Sequence, residues 1–286
     1  MSKQKAKILS KLNSFFKVPP HPLLDVHGIN EKSYARWQFV KGEETIKFYI
    51  GYTPPEDMFL GKIVLDIGCG AAGKTLYFAN FGVKHIYGVD ILEKYKQVAE
   101  TLAEELGLSE KFTFMPNDAT KLPFDDSAID TIIMNDTMEH VDEPEQVLLE
   151  CLRVLATGGR IFINFSPYNH PYGSHLHDAI ALPWAHLFFS DKTMISVYED
   201  TIKHLPESEE RRKFRKLECG EKVSYINKMT IRRFNKILKQ LQIKPIYYKE
   251  VPLRNKLALL AKIPFLKEGF MKMVVCVIQK GYTDSK

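Results

Sequence analysis

No uninterrupted apolar run in this 286-residue chain approaches the length of a membrane span. Paired cysteines are also missing. Cys69, Cys151, Cys219 and Cys276 stand singly, with no C-x-x-C among them, so neither a zinc site nor a disulfide framework is indicated, and they read as reduced intracellular thiols. A large excess of one charge sign is missing too: the net +5 permits an anionic partner without demanding one and gives no support to nucleic-acid binding. There is no internal repeat and no low-complexity tract. The opening "MSKQKAKILSKLNSFFK" is basic but lacks an apolar core and a small-residue cleavage site, so it does not read as a signal peptide. The expected location is the cytoplasm.

What the chain does contain is rhythm. From Lys62 to Phe165 strand and helix patterns alternate: "KIVLDI", "HIYGVD", "KFTFMPND", "IDTIIMND" and "GGRIFINF" read as five strands. Between them, Lys74 to Phe81 reads as a helix. Leu92, Tyr95, Val98, Ala99, Leu102, Ala103 and Leu106 recur at helical spacing until Gly107. Pro144 opens a further helix with Val147, Leu148, Cys151, Leu152 and Leu155 on one stripe. Such alternation implies right-handed crossovers and a doubly wound, mostly parallel α/β sheet. Thr230 is placed to cap a helix, and "KPIYYKEV" and "FMKMVVCVIQK" read as closing strands. The expected divisions are an N-terminal lid over 1–60, a core over 61–165, an insertion over 166–228 and a completion of the sheet over 229–286.

The stretch "VLDIGCGAAGKT" fits three cofactors. Gly68, Gly73, Lys74 and Thr75 satisfy G-x-x-x-x-G-K-[ST], while Gly68, Gly70 and Gly73 satisfy G-x-G-x-x-G with Asp90 at the distance of a ribose-binding acid. Asp136 could serve the first reading as a magnesium ligand. Both readings put the Asp66 carboxylate beside phosphates, which is poor electrostatics. A cofactor without phosphate and with positive charge reverses that sign.

With "GVD" ending strand two, "NDATKLPF" after strand three, "NDTMEHVDEP" after strand four and "LATGGRIFI" entering strand five, the segment from about Gly61 to Phe165 resembles class I S-adenosylmethionine-dependent methyltransferases. The similarity is to the broad group that includes ubiquinone and menaquinone biosynthesis enzymes. The resemblance implies a Rossmann-like sheet with an antiparallel final strand and S-adenosyl-L-methionine as cofactor. It places Asp66, Gly68 and Gly70 along the methionine portion and Asp90 at the ribose, with Ile91 among the cofactor-binding residues. Asp118 and Ala119 would meet the adenine, and Asn135 would lie under the sulfonium. Lys74 and Thr75 would then be ordinary residues opening a helix. His140 reads as structural, holding the loop after strand four.

The acceptor is expected on the segment leaving strand five, where Tyr168, His170, Tyr172, His175, His177, Asp178, Trp184 and His186 crowd into under twenty residues. Tyr168, His170, His175 and His177 are the candidate catalytic groups, since histidine titrates near neutrality. Two other readings stay open: a divalent metal on His170, His175, His177 and Asp178, though no recognised spacing supports one, or a polar surface loop. Tyr34, Arg36 and Trp37 could close the site. Between Pro252 and Phe270, Leu253, Leu257, Leu260 and Ala261 with Arg254, Lys256 and Lys262 suggest a basic amphipathic helix, expected to pack on the fold rather than rest on a membrane. The expected function is methyl transfer to a small-molecule acceptor, without nucleic acid. A nucleotide-dependent oxidoreductase or NTPase, a non-enzymatic cofactor-binding module, and another S-adenosylmethionine chemistry are the alternatives.

Overall fold

The computed structural model describes residues 2–18, 34–204, 208–214, 223, 226–253, 259–261, 263 and 266–281. The strands are β1 (Ile63–Ile67), β2 (His85–Asp90), β3 (Phe112–Pro116), β4 (Ile129–Asn135), β5 (Leu155–Phe165), β6 (Tyr247–Pro252) and β7 (Met271–Gln279). They form one sheet in the order β3-β2-β1-β4-β5-β7-β6. β1 pairs in parallel with β2 and β4, β2 with β3 and β4 with β5, whereas β7 runs antiparallel to β5. The strand order reverses between β1 and β4. That switch point opens a crevice at their carboxyl ends, where ligands of open α/β sheets bind.

The helices are α1 (Ser2–Asn13), α2 (Tyr34–Val40), α3 (Gly42–Ile50), α4 (Pro55–Phe59), α5 (Gly73–Ala79), α6 (Lys96–Glu105), α7 (Pro144–Val154), α8 (Ala185–Phe188), α9 (Asp191–Ile202), α10 (Ser208–Phe214) and α11 (Ile231–Gln240). The 92–106 periodicity resolves into a 3₁₀ turn, Glu93–Tyr95, leading into α6. Thr230 caps α11 as its sequence suggests, its hydroxyl accepting from the Arg233 N–H at 3.0 Å.

The chain separates into two compact units. One, the sheet unit, comprises Leu23–Phe165, Asn235–Lys249 and Val274–Lys286; the other, the insertion unit, comprises Met1–Pro22, Ser166–Phe234 and Glu250–Met273. Segment 1–60 therefore contributes to both, α1 to the insertion unit and α2–α4 to the sheet unit.

In the sheet unit β1 and β4 are apolar because they are central and covered on both faces. Val64, Leu65, Ile132 and Ile133 are fully buried. Phe59 of α4 stacks on Phe78 of α5 with centroids 5.2 Å apart, each ring contributing about 2 kcal/mol through burial. α2 lies against α5 and α6, and α3 against α5.

In the insertion unit α1 packs on α9. Leu9 joins a core of Leu176, Ile180, Met194, Tyr198 and Ile202. Asp178 is buried in that unit, its Oδ2 accepting from Tyr198 Oη at 3.0 Å and from Arg211 at 3.2 Å. Its grouping with metal-ligating histidines gives way to an internal ion pair. Of the segment expected to form a basic amphipathic helix, residues 254–258, 262, 264 and 265 (Arg254, Lys256, Leu257 and Lys262 among them) lie outside the described residues. Its described end is a 3₁₀ turn, Lys267–Phe270. Cys69, Cys151 and Cys276 are buried free thiols, and Cys219 lies outside the described residues.

Candidate active site

The glycine loop leaves β1 through two left-handed glycines, Gly68 at φ 72° and Gly70 at φ 55°, and Ala72 follows at φ 58°. A Cβ on Gly68 would sit 2.6 Å from the Thr137 side chain. That close approach lets the Thr137 hydroxyl donate to the Ile67 carbonyl at 2.9 Å, joining the ends of β1 and β4. Gly73 is pressed against α2: a Cβ there would lie 1.9 Å from the Ala35 carbonyl oxygen.

Two acids organise this loop. Asp90, at the end of β2, accepts the Gly70 N–H at 2.8 Å and the Leu92 N–H at 2.9 Å, one on each carboxylate oxygen. Its burial raises its pKa, and these two N–H groups oppose the rise. Asp66 lies buried beneath the loop and accepts from Thr75 Oγ1 at 2.6 Å. Burial pushes its pKa up to about 7, opposed by the Thr75 hydroxyl and the Lys74 charge. Thr75 and Lys74 are thus not idle openers of a helix. Thr75 holds Asp66, and Lys74 Nζ lies 3.6 Å from Asp136 Oδ2.

At the end of β4, Asn135 Oδ1 accepts from Tyr49 Oη at 2.9 Å and from Asn164 Nδ2 at 2.5 Å. Burial raises the Tyr49 phenol well above its ordinary value, so it stays protonated and remains a donor. Asp118 is exposed after β3, with Oδ1 accepting both the N–H and the hydroxyl of Thr120 at 2.8 Å, and Ala119 beside it is half-buried. Ile91 is 66% exposed. Nearby in sequence Tyr95 contacts Tyr34, which stacks on Trp37 at 5.9 Å. Arg36 pairs with Glu105 instead, at 2.6 Å. His140 closes the turn after β4, its N–H donating to the Thr137 carbonyl.

Thr75, Tyr49 and Asn164 were not among the site residues read from the sequence. Only Asn164 left a signal: a lone amide in the apolar run "RIFINF", paired in register with Asn135.

The histidine-rich segment belongs to the insertion unit and descends through successive turns, closed by His170 N–H to Pro167 O, Gly173 N–H to His170 O and His175 N–H to Tyr172 O. His170 Nδ1 accepts the Tyr172 N–H at 3.2 Å. Burial, then His186, His177 and Lys272, push the His170 pKa down to about 4, so it is neutral at physiological pH. The Tyr172 ring contacts both His170 and His177. Tyr168 meets His186 edge-on at 4.8 Å and has Lys228 over its face. His175 holds a left-handed backbone, φ 56°.

Residues 65–163 match the family model described as a methyltransferase domain. A probable chloroplastic tocopherol O-methyltransferase of Oryza sativa subsp. japonica is 36% identical over 130 residues, 46% of this chain and 35% of that protein. Norajmaline N-methyltransferase of Rauvolfia serpentina is 32% identical over 122 residues, 42% of this chain and 41% of that protein. The chain thus spans about two fifths of the length of the curated relatives it matches. A solved geranyl diphosphate methyltransferase, in complex with S-adenosylmethionine, is similar in fold. Its TM-score is 0.52 at 14% identity, covering 93% of this chain and 97% of that one. No helix among the described residues is long and apolar enough to cross a membrane.

Proposed function

We propose that the chain is an S-adenosylmethionine-dependent methyltransferase acting on a small-molecule acceptor. The observation that carries this reading is the occupation of the glycine loop by acids. A dinucleotide site needs the Gly70 N–H for its pyrophosphate, yet that N–H is held by Asp90. A triphosphate loop needs an open helix start and a free lysine, yet α2 covers Gly73 and Lys74 is drawn to Asp136. A cofactor with an ammonium and a sulfonium fits the same acids.

The chemistry that S-adenosylmethionine supplies when bound is an activated methyl group with a good leaving group. The chain's work is then to hold, align and exclude water. Asp66 would face the ammonium, which favours its ionised form. Asp90 has lone pairs left for ribose hydroxyls beyond its two backbone donors. Ile91, exposed after β2, would add apolar contact to the bound cofactor, and Asp118 with Ala119 would meet its adenine. Asn135, locked by Tyr49 and Asn164, presents a fixed amide beside the crevice.

Acceptor handling is assigned to Tyr168, His170, His175 and His177. His170 is too weak a base at neutral pH to take a proton, so it serves as a neutral hydrogen-bonding group, and His175 and His177 are the remaining imidazoles for proton removal. The named activities of the relatives, on tocopherol and on an alkaloid, support an acceptor with a sizeable apolar body.

The test is a thermal-shift comparison of S-adenosylhomocysteine with ATP–Mg²⁺ and NAD. Stabilisation by the first alone is expected, and Asp90→Asn should weaken it by about 1–3 kcal/mol. His175→Ala and His177→Ala should retain that stabilisation and lose methylation rate. Stabilisation by ATP–Mg²⁺ with none from S-adenosylhomocysteine would end the proposal.

A further inference from the structure

Membrane contact is not expected from the sequence, but the exposure pattern of α1 argues for it. α1 docks by a narrow stripe: Leu9 is in the core of the insertion unit, Ala6 packs against it, and Asn13 bonds both ways with the 179–182 loop, to the Ala179 carbonyl at 2.9 Å and from the Leu182 N–H at 3.0 Å. A second apolar stripe faces outward. Ile8 and Leu12 lie one turn apart, and Phe15 and Phe16 continue the line through the turns that follow, with Phe15 76% exposed. A surface helix normally buries its apolar side and shows water its polar one. Here the helix is already docked, and a second apolar edge is left over.

The same unit shows more bare apolar surface. Leu187 and Phe188, the latter 79% exposed, end α8, which begins three residues after the Leu182 contact with α1. The charge is one-sided as well. Residues 2–18 contain Lys3, Lys5, Lys7, Lys11 and Lys17 and no acid. The acids of α9, on which α1 packs, are spent elsewhere: Asp191 on Lys228 at 2.8 Å, Glu199 on Arg212 at 2.9 Å and Asp200 on Lys203 at 2.6 Å. The lysine field of α1 is therefore not cancelled by the helix beneath it.

We propose that α1 seats the insertion unit on an anionic lipid surface, with Ile8, Leu12, Phe15 and Phe16 entering the headgroup boundary and the lysines meeting lipid phosphates and carboxylates. A bare apolar stripe ringed by lysine suits an interface of apolar depth and negative charge. Each lysine near such a surface adds about five-fold to partitioning, and the attraction falls off within a Debye length. Neither stripe nor charge suffices alone. An acceptor dissolved in the bilayer would follow from this placement; that link rests on the proposed methyl transfer, whereas the docking does not.

Co-sedimentation of the full chain with phosphatidylcholine–phosphatidylserine vesicles tests the docking, with pure phosphatidylcholine vesicles as control. Binding to the anionic vesicles that weakens with salt is expected. Lys7→Glu with Lys11→Glu should reduce it at least about tenfold, and Phe15→Ser with Phe16→Ser should do so without removing the salt dependence that remains. These positions are exposed, and circular dichroism with the S-adenosylhomocysteine thermal shift verifies that both variants fold and keep their cofactor site. Absence of binding at low salt would overturn the proposal, as would equal binding by all variants. So would a dimer in sedimentation velocity that dissociates on Phe15→Ser while vesicles capture nothing. Failure of the thermal shift alone would instead count against the cofactor.

Discussion

Asp66 carries the sharpest consequence of a single residue. Its pKa is about 7 when folded and near 3.8 in an unconstrained chain, so the native state binds the extra proton between those values. The resulting stability is full below pH 3.8 and is lost as pH rises through about 7. The cofactor-free protein should therefore lose melting temperature from about pH 4 to about pH 7, and Asp66→Asn should flatten that loss. Scanning calorimetry across the range is the check; parallel profiles for the two proteins would refute the assignment. A bound ammonium favours the carboxylate, so S-adenosylhomocysteine should bind more tightly with rising pH and release a proton, read by titration calorimetry in buffers of different ionisation enthalpy. Thr75→Val removes the 2.6 Å hydrogen bond to a charged group and should weaken that binding by about 1.5–3 kcal/mol. Asp66 was legible in the sequence because its charge contradicts a phosphate, and Asp90 because it ends a strand at the distance of a ribose-binding acid. Thr75 was hidden by its place in an NTPase-like pattern, and Tyr49 lies 86 residues from the amide it holds, a distance no local pattern spans.

Among the elements, α2 shows why a glycine pattern alone misleads. Gly73 reads as part of a phosphate loop, but its small size serves helix packing: the backbone of α2 at Ala35 and the Gln38 side chain fill the space a Cβ would take. Gly73→Ala must therefore push α2 away or strain the start of α5, at about 1–3 kcal/mol. Since Trp37 of α2 stacks on Tyr34, the displacement should appear in tryptophan emission in a Trp184→Phe background, together with a lower melting temperature. An unchanged spectrum and melting point would mean that α2 does not pack there. The strands were readable because a doubly wound sheet repeats one motif, an apolar run followed by a turn and a periodic helix. Placement of α2 was not, since the segment between it and α1 carries no periodicity and the contact it makes is read only in three dimensions.

For the whole molecule, the instructive unit is the one built from chain segments far apart. Met1–Pro22, Ser166–Phe234 and Glu250–Met273 form one compact body, although the sequence suggested a lid, an insertion and a sheet completion in succession. Ordering such distant pieces costs loop-closure entropy, which their shared core must offset. A buried charge pair sits within that body: the Asp178 and Arg211 side chains are 1% and 4% exposed, and Tyr198 shares the same carboxylate oxygen. Removing one charge strands the other in a medium that cannot solvate it. Asp178→Ala should then destabilise the protein by about 3–5 kcal/mol, while Asp178→Leu combined with Arg211→Met should recover most of the loss, because an apolar pair of similar size carries no desolvation penalty. Urea unfolding midpoints of the two variants decide it. If the double variant is as weak as the single one, the pair is contributing net attraction beyond its desolvation cost, and the insertion unit depends on electrostatics more than on its apolar core.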